Sequence, residues 1–234
     1  MLNPELLNDD VLSKLRETYK SSDNVITIPD LLDKEHASKL ETHIRNLPSQ
    51  EWGVSIHPYR SDILTFNNIP MNSGAIKEGK QKAHESMKNG GFSYFFYRHD
   101  GHKTDCTCLL CSTIALFKTE PFFKMIKAIT DEDVSSTISV FSSIYRAGCF
   151  LSTHTDTGRG KLAFVFNITK DWNVENGGLF QLLKWDYQSV TKTVVPTFNT
   201  LTVFRVVGNG IPHRVTCVVD ETTNERVAVS GWLI

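Results

Sequence analysis

Residues 137–156 read Thr137-Ile-Ser-Val-Phe-Ser-Ser-Ile-Tyr145-Arg-Ala-Gly-Cys-Phe-Leu-Ser-Thr-His154-Thr-Asp156, two β-branched and aromatic runs broken at Ala147-Gly148. Side chains of this kind suit a pleated, half-buried surface, and the glycine marks the turn between two strands. The pattern then repeats to the C-terminus. Short runs at 137–145, 151–155, 161–168, 178–183, 189–194, 201–206, 213–218 and 226–233 are separated by Gly, Asn, Pro and Asp. Eight such strands predict an antiparallel double-stranded β-helix, the jelly-roll or cupin-type barrel, whose open mouth can hold a small ligand or a metal.

Upstream the periodicity is helical. Residues 4–19 place Leu6, Leu7, Val11, Leu12 and Leu15 on one face, which predicts an amphipathic helix. Val25-Ile-Thr-Ile28 reads as a strand, and Asp33 stands as N-cap before a helix over 34–47 that Pro48 closes. Residues 73–89 are polar and lysine-rich and end in Gly90-Gly91, so 73–91 read as a weak helix or a lid. Phe92-Ser-Tyr-Phe-Phe-Tyr97 reads as a strand packed in the core. Residues 117–130, with Pro121 near the first turn, predict a helix turning Phe122, Phe123, Ile126 and Ile129 inward. The predicted fold class is therefore α+β, mainly β with α. It is one domain over 1–234, with helix-rich support over 1–135 and the barrel over 136–234.

The chain has 234 residues with 25 Lys plus Arg against 26 Asp plus Glu, a net charge of -1. Such a balance makes nucleic acid and anionic membrane poor partners. No apolar run reaches the roughly 18–20 residues of a membrane span, and Met1-Leu-Asn-Pro-Glu is unlike a signal peptide, so the expected compartment is the cytoplasm. Five cysteines are an odd set, and Cys106, Cys108 and Cys111 crowd together behind His99 and His102. Close spacing of this kind suits a structural zinc or simply reduced thiols in the core, and the sequence leaves both open.

The sharpest constellation is His154-Thr-Asp156 with His213. Residues two apart on a strand share a face, so His154 and Asp156 point the same way. His213, from a distant strand, would complete two imidazoles and one carboxylate on one side of an octahedral ion, the facial triad of non-haem Fe(II) sites. The competing reading is two ordinary hydrogen-bonded histidines and a turn aspartate. In the last strand, alternation sets Arg226, Ala228, Ser230 and Trp232 on one face and Val227, Val229 and Gly231 on the other. If the first face is inward, a buried guanidinium needs a carboxylate, which a bound dicarboxylate would supply through a two-point fork; otherwise Arg226 sits on the rim. His57-Pro-Tyr59-Arg60 could reach a substrate carboxylate or be a surface turn.

Taken together, Ile144-Tyr-Arg-Ala-Gly-Cys149, His154-Thr-Asp156, Thr169-Lys-Asp-Trp172 leading to Gly177-Gly178, Ile211-Pro-His-Arg-Val215, and Arg226 with Trp232 six residues on resemble the 2-oxoglutarate- and Fe(II)-dependent oxygenases. The likeness is to the prolyl 4-hydroxylase-like branch that includes the hypoxia-factor and ribosomal-protein prolyl hydroxylases. It covers 137–234, with residues 25–47 similar to the front unit of the same branch and 50–125 without a match.

The resemblance implies that His154, Asp156 and His213 bind Fe(II) and that Arg226 binds the distal carboxylate of 2-oxoglutarate. Tyr145 would face the cosubstrate's other end, and Ser230 shares the face of Arg226. Asn167 stands where several relatives carry a tyrosine that helps the arginine, and Lys161 is a fallback anchor. With O2 and ascorbate as reductant, the implied reaction is hydroxylation with release of succinate and carbon dioxide. The expected substrate is a peptide, prolyl or otherwise, or an amino-acid-like small molecule. The alternative function is a non-catalytic cupin-like ligand-binding or zinc-stabilised interaction module.

Overall fold

The computed structural model describes residues 2–58, 60–67, 73–102 and 106–234. Its strands are β1 Val25–Ile28, β2 Gly53–His57, β3 Leu64–Phe66, β4 Tyr94–His99, β5 Thr137–Tyr145, β6 Phe150–His154, β7 Leu162–Asn167, β8 Phe180–Leu183, β9 Val190–Val194, β10 Thr200–Arg205, β11 His213–Val215 and β12 Arg226–Leu233. Its helices are α1 Asp9–Ser21, α2 Lys34–Arg45, α3 Gly74–Lys88, α4 Leu109–Leu116 and α5 Glu120–Thr130. The eight strands expected after residue 136 all form, two with the expected ends and the others with ends within three residues of them.

Alternation in β12 sets the layering. Val227 and Val229 are fully buried toward the helices, and Gly231 makes room for Phe164, whose ring would lie 2.9 Å from an added Cβ. Arg226, Ser230 and Trp232 turn to the other side and line a cavity. Strand β12 pairs with β5 on one side and β7 on the other, and the antiparallel order continues β1-β10-β7-β12-β5-β4-β6-β11-β8-β9. Strand β4 joins the two halves of this curl: Tyr97–His99 pair with β5 and Tyr94–Phe95 with β6. From its residues β4 reads only as core packing. In fact Phe92, Tyr94, Phe96 and Arg98 alternate into the cavity.

On the outer face, Phe122, Ile126 and Ile129 of α5 are buried, with Phe122 and Phe117 against Phe164 at centroid distances of 5.9 and 4.7 Å. Phe123 is only half-buried at the helix edge. This helix starts at Glu120 rather than 117, because Pro121 falls in its first turn and the preceding α4 ends at Leu116. The single helix expected over 4–19 also divides. A 3-10 turn at Pro4–Leu7 stops at Asn8, whose side chain caps α1 by accepting the Asp10 N–H at 2.9 Å. Asp33 caps α2 as predicted, accepting from Glu35 and His36 at 3.0 and 3.1 Å.

The segment 73–91, read as a weak helix or a lid, forms a docked helix, α3. Ser73 caps α3, and Ile76, Gly79 and Ala83 bury one stripe of it. At Gly79 an added Cβ would lie 2.7 Å from Ile56 Cδ1 of β2. Lys80 Nζ donates to the Ala147 carbonyl at 3.1 Å, and His84 Nε2 donates to the Gly148 carbonyl at 2.8 Å. The polar residues that suggested a flap are the solvated face of a docked helix. Among the described residues no helix is long and apolar enough to cross a membrane.

Candidate active site

Strands β6 and β11 pair so that His154 lies directly opposite His213, with ring centroids 4.2 Å apart. Each imidazole is oriented by its own backbone. His154 Nδ1 meets the Ser152 carbonyl at 2.9 Å and His213 Nδ1 meets the Ile211 carbonyl at 2.7 Å. A carbonyl can only accept, so both Nδ1 atoms carry the proton and both Nε2 atoms present lone pairs. Those atoms lie 3.5 and 3.4 Å from the two oxygens of Asp156.

Burial acts to raise the Asp156 carboxyl, but where the imidazoles also carry a proton at Nε2, their hydrogen bonds and charge outweigh it and hold the group far below the ordinary carboxylate range. Burial, followed by the neighbouring His213, keeps His154 below 6.5. Three donor atoms thus converge in one pocket, where a cation among them would relieve their mutual repulsion. The donor set fits ferrous iron.

Arg226 stands across the same cavity, 1% exposed. Its Nη2 donates to Asn167 Oδ1 at 3.3 Å, its guanidinium lies 5.1 Å from the Tyr145 ring, and its Nε and Nη1 are buried with no partner. No ion pair among the described residues reaches it. Orphaned donors on a buried cation leave hydrogen-bonding capacity and charge that a carboxylate would satisfy. The chain makes room beside it with Gly177-Gly178, at φ +66 and +60; an added Cβ at Gly177 would lie 2.2 Å from the Cys217 carbonyl oxygen and one at Gly178 3.4 Å from Arg226 Cδ.

The cavity between triad and arginine measures about 410 Å3. Tyr145 and Ser230 line it, but Tyr145 is not at the far end from Arg226 as the resemblance implied. The register pairs Tyr145 with Arg226 across β5 and β12, so the ring backs the guanidinium. Asn167 accepts from Arg226, and so positions the cation rather than reaching for a carboxylate through that atom. Lys161 is not an anchor: its ammonium binds the Asp133 carbonyl and it does not line the cavity.

Sequence reasoning missed the β4 wall and Arg159. Arg159 is exposed at the mouth, 5.5 Å over the Trp232 ring, and Arg98 lies 3.9 Å over Phe141. Period-two alternation over 92–98 was the available signal. Of residues 57–60, His57 lines the cavity, stacked on Tyr94 at 5.3 Å, and Tyr59 lies outside the described residues. Elsewhere, His102, Cys106, Cys108 and Cys111 converge, whereas His99 stays outside that group.

A family model described as the 2OG-Fe(II) oxygenase superfamily matches residues 140–234. Those residues belong to the 2OG-Fe(II) oxygenase superfamily. The match spans both strands of the triad and β12, so residues 140–234 form a 2-oxoglutarate-dependent dioxygenase core whose cofactors are Fe(II), 2-oxoglutarate and O2.

Solved structures agree on the fold. A prolyl-4-hydroxylase from Pseudomonas putida matches with TM-score 0.60 and 15% identity, over 95% of this chain and 97% of that one. A prolyl hydroxylase from Trichoplax adhaerens, solved in complex with a hypoxia inducible factor oxygen degradation domain peptide fragment, matches with TM-score 0.66 and 14% identity, over 100% and 94%. Prolyl 4-hydroxylase from Phytophthora capsici matches with TM-score 0.61 and 16% identity, over 100% and 65%. At these identities the likeness concerns the prolyl-hydroxylase-like fold alone. No curated protein sequence matches significantly.

Proposed function

We propose that this oxygenase hydroxylates a C–H bond of a peptidyl substrate, prolyl foremost, or of an amino-acid-like molecule, releasing succinate and carbon dioxide. The observation that carries this reading is the orphaned guanidinium of Arg226 on the same cavity as His154, Asp156 and His213. In this reading the three triad residues hold iron through Nε2, Nε2 and a carboxylate oxygen, with Nδ1 protons fixed by backbone carbonyls. Arg226 takes the distal carboxylate of 2-oxoglutarate, Asn167 and Tyr145 hold the guanidinium in place, and the Ser230 hydroxyl offers a further donor. Iron with its bound cosubstrate supplies the O2 chemistry, and the protein supplies orientation and exclusion of water.

The aromatic wall of Phe92, Tyr94, Phe96, Phe141 and Trp232 offers apolar surface to a substrate ring, with Arg98 and Arg159 above it. A peptide is favoured by the Trichoplax relative, which was solved with one bound. The test measures succinate from the full chain supplied with Fe(II), 2-oxoglutarate and a panel of proline-containing peptides, other peptides and free amino acids. Fe(II)-dependent succinate matched by a mass gain of one oxygen on a panel member is expected. No Fe(II)-dependent 2-oxoglutarate turnover, with or without substrate, would overturn the reading.

A further inference from the structure

Away from the barrel cavity, between the end of β4 and the start of α4, four ligand atoms converge. His102 Nδ1 lies 3.2 Å from Cys111 Sγ, 3.3 Å from Cys106 Sγ and 3.6 Å from Cys108 Sγ. A tetrahedral zinc with Zn–N near ~2.0–2.1 Å and Zn–S near ~2.3 Å requires N···S edges of about 3.6 Å, so one ion fits among them with little adjustment. The sulfurs are not bridged to one another.

Three further features prepare these side chains as ligands. The first is the imidazole's orientation: His102 Nε2 meets Glu51 Oε2 at 3.0 Å, and a carboxylate accepts, so Nε2 carries the proton and Nδ1 turns its lone pair to the sulfurs. The second is donation to the sulfurs by backbone N–H groups, from His102 to Cys111 at 3.3 Å, Cys108 to Cys106 at 3.5 Å and Cys111 to Cys108 at 3.5 Å. The third is close approach. Gly101, at φ +84, brings the chain so near that an added Cβ would lie 3.3 Å from Ile114 Cδ1 and 3.9 Å from Cys111 Sγ.

We propose that His102, Cys106, Cys108 and Cys111 bind one structural Zn2+, with Glu51 fixing the ligating tautomer of His102. Four protein ligands close the tetrahedron and leave no open position, so the ion's work is to hold the chain rather than to catalyse. His99 is not a ligand: its Nδ1 accepts the Gly101 N–H at 2.9 Å and its Nε2 donates to Glu51 at 3.4 Å, which makes it a second brace on the same carboxylate. Cys108 is the N-cap of α4 and Cys111 lies in its first turn, so the zinc clips α4 to the end of β4. Strand β4 carries Phe96 and Arg98 into the cavity, and the clip thereby steadies one wall of the active site without touching the iron.

The test uses the full-length chain purified from zinc-containing medium and treated with EDTA to strip the barrel ion. Elemental analysis should then find one zinc per chain that leaves only when a mercurial reagent titrates the thiols. Cobalt exchanged into that position should show thiolate-to-cobalt charge transfer in the near ultraviolet and strong tetrahedral d–d bands. Asp156→Ala should keep the zinc, Cys108→Ser should lose it, and Glu51→Gln should hold it roughly 10–100-fold more weakly.

Loss of the EDTA-resistant zinc in Asp156→Ala would place the ion in the barrel and overturn the proposal. So would retention in Cys108→Ser, or a native chain without resistant zinc whose three thiols react freely. Should Cys108→Ser not fold, the cobalt spectrum of the native chain decides, since charge transfer requires sulfur ligands.

Discussion

Arg226 places a full positive charge where an isolated ion is costly, and its partners in the chain are one amide oxygen and one aromatic face. The protein carries that cost because the guanidinium is half of a binding site. Replacing it by Met should therefore separate function from stability. Arg226→Met should raise the KM for 2-oxoglutarate by roughly 30-fold or more, the equivalent of ~2 kcal/mol or more for an unpaired buried carboxylate. Its unfolding free energy without ligand should stay level or rise by about 1–3 kcal/mol. Urea melts and succinate kinetics check this, and an unchanged KM would mean another group holds the cosubstrate. Asp156→Ala and His154→Ala remove one lone-pair donor each from the triad. Both should lose iron and iron-dependent succinate release while the far-ultraviolet circular dichroism stays that of the native chain. A variant that keeps full turnover would show that the cation sits elsewhere.

Among the elements, α3 shows how a polar composition misleads. Lysines and glutamates dominate its sequence, yet Ile76, Gly79 and Ala83 at spacings of three and four form a narrow stripe that β2 buries. As a docked helix, α3 should keep its amide protons as long as the barrel does, and 2-oxoglutarate or peptide should not change them. Hydrogen exchange followed by mass spectrometry measures this directly; fast exchange quenched by substrate would make α3 a lid instead. Gly79→Val should cost about 1–3 kcal/mol, because the new methyl groups meet Ile56 at a position already at contact distance. Strand β4 shows the converse error. Its aromatic run reads as core, and Phe95 does pack there, but alternation sends Phe92, Tyr94, Phe96 and Arg98 into the cavity, a division visible only once the strand's partners on both sides are known.

For the molecule as a whole, buried imidazoles set the response to acid. His36, His57, His99 and His154 all lie below the ordinary 6.5, burial being the first cause in each. In that window the unfolded chain binds more protons than the folded one, so stability is lost as pH falls. The metal-free chain should therefore unfold at lower urea at pH 5.5 than at pH 7.5, and a flat or reversed dependence would contradict the assignment.

The barrel strands and the shared face of His154 and Asp156 were legible in sequence because period-two alternation and the His154-Thr-Asp156 spacing are local properties of the chain, whereas His213, on a distant strand, entered through the facial-triad pattern and the family resemblance. The same rule put Arg226, Ser230 and Trp232 on one face, and only the fold showed that this face is the inward one. Three further things were not legible: that Tyr145 backs the guanidinium, that Lys161 points away, and that Glu51 reaches His102 from 51 residues upstream. These depend on cross-strand register and on which loops lie side by side. Contacts between residues far apart in the chain are fixed by the packing of the whole fold, and no local pattern records them.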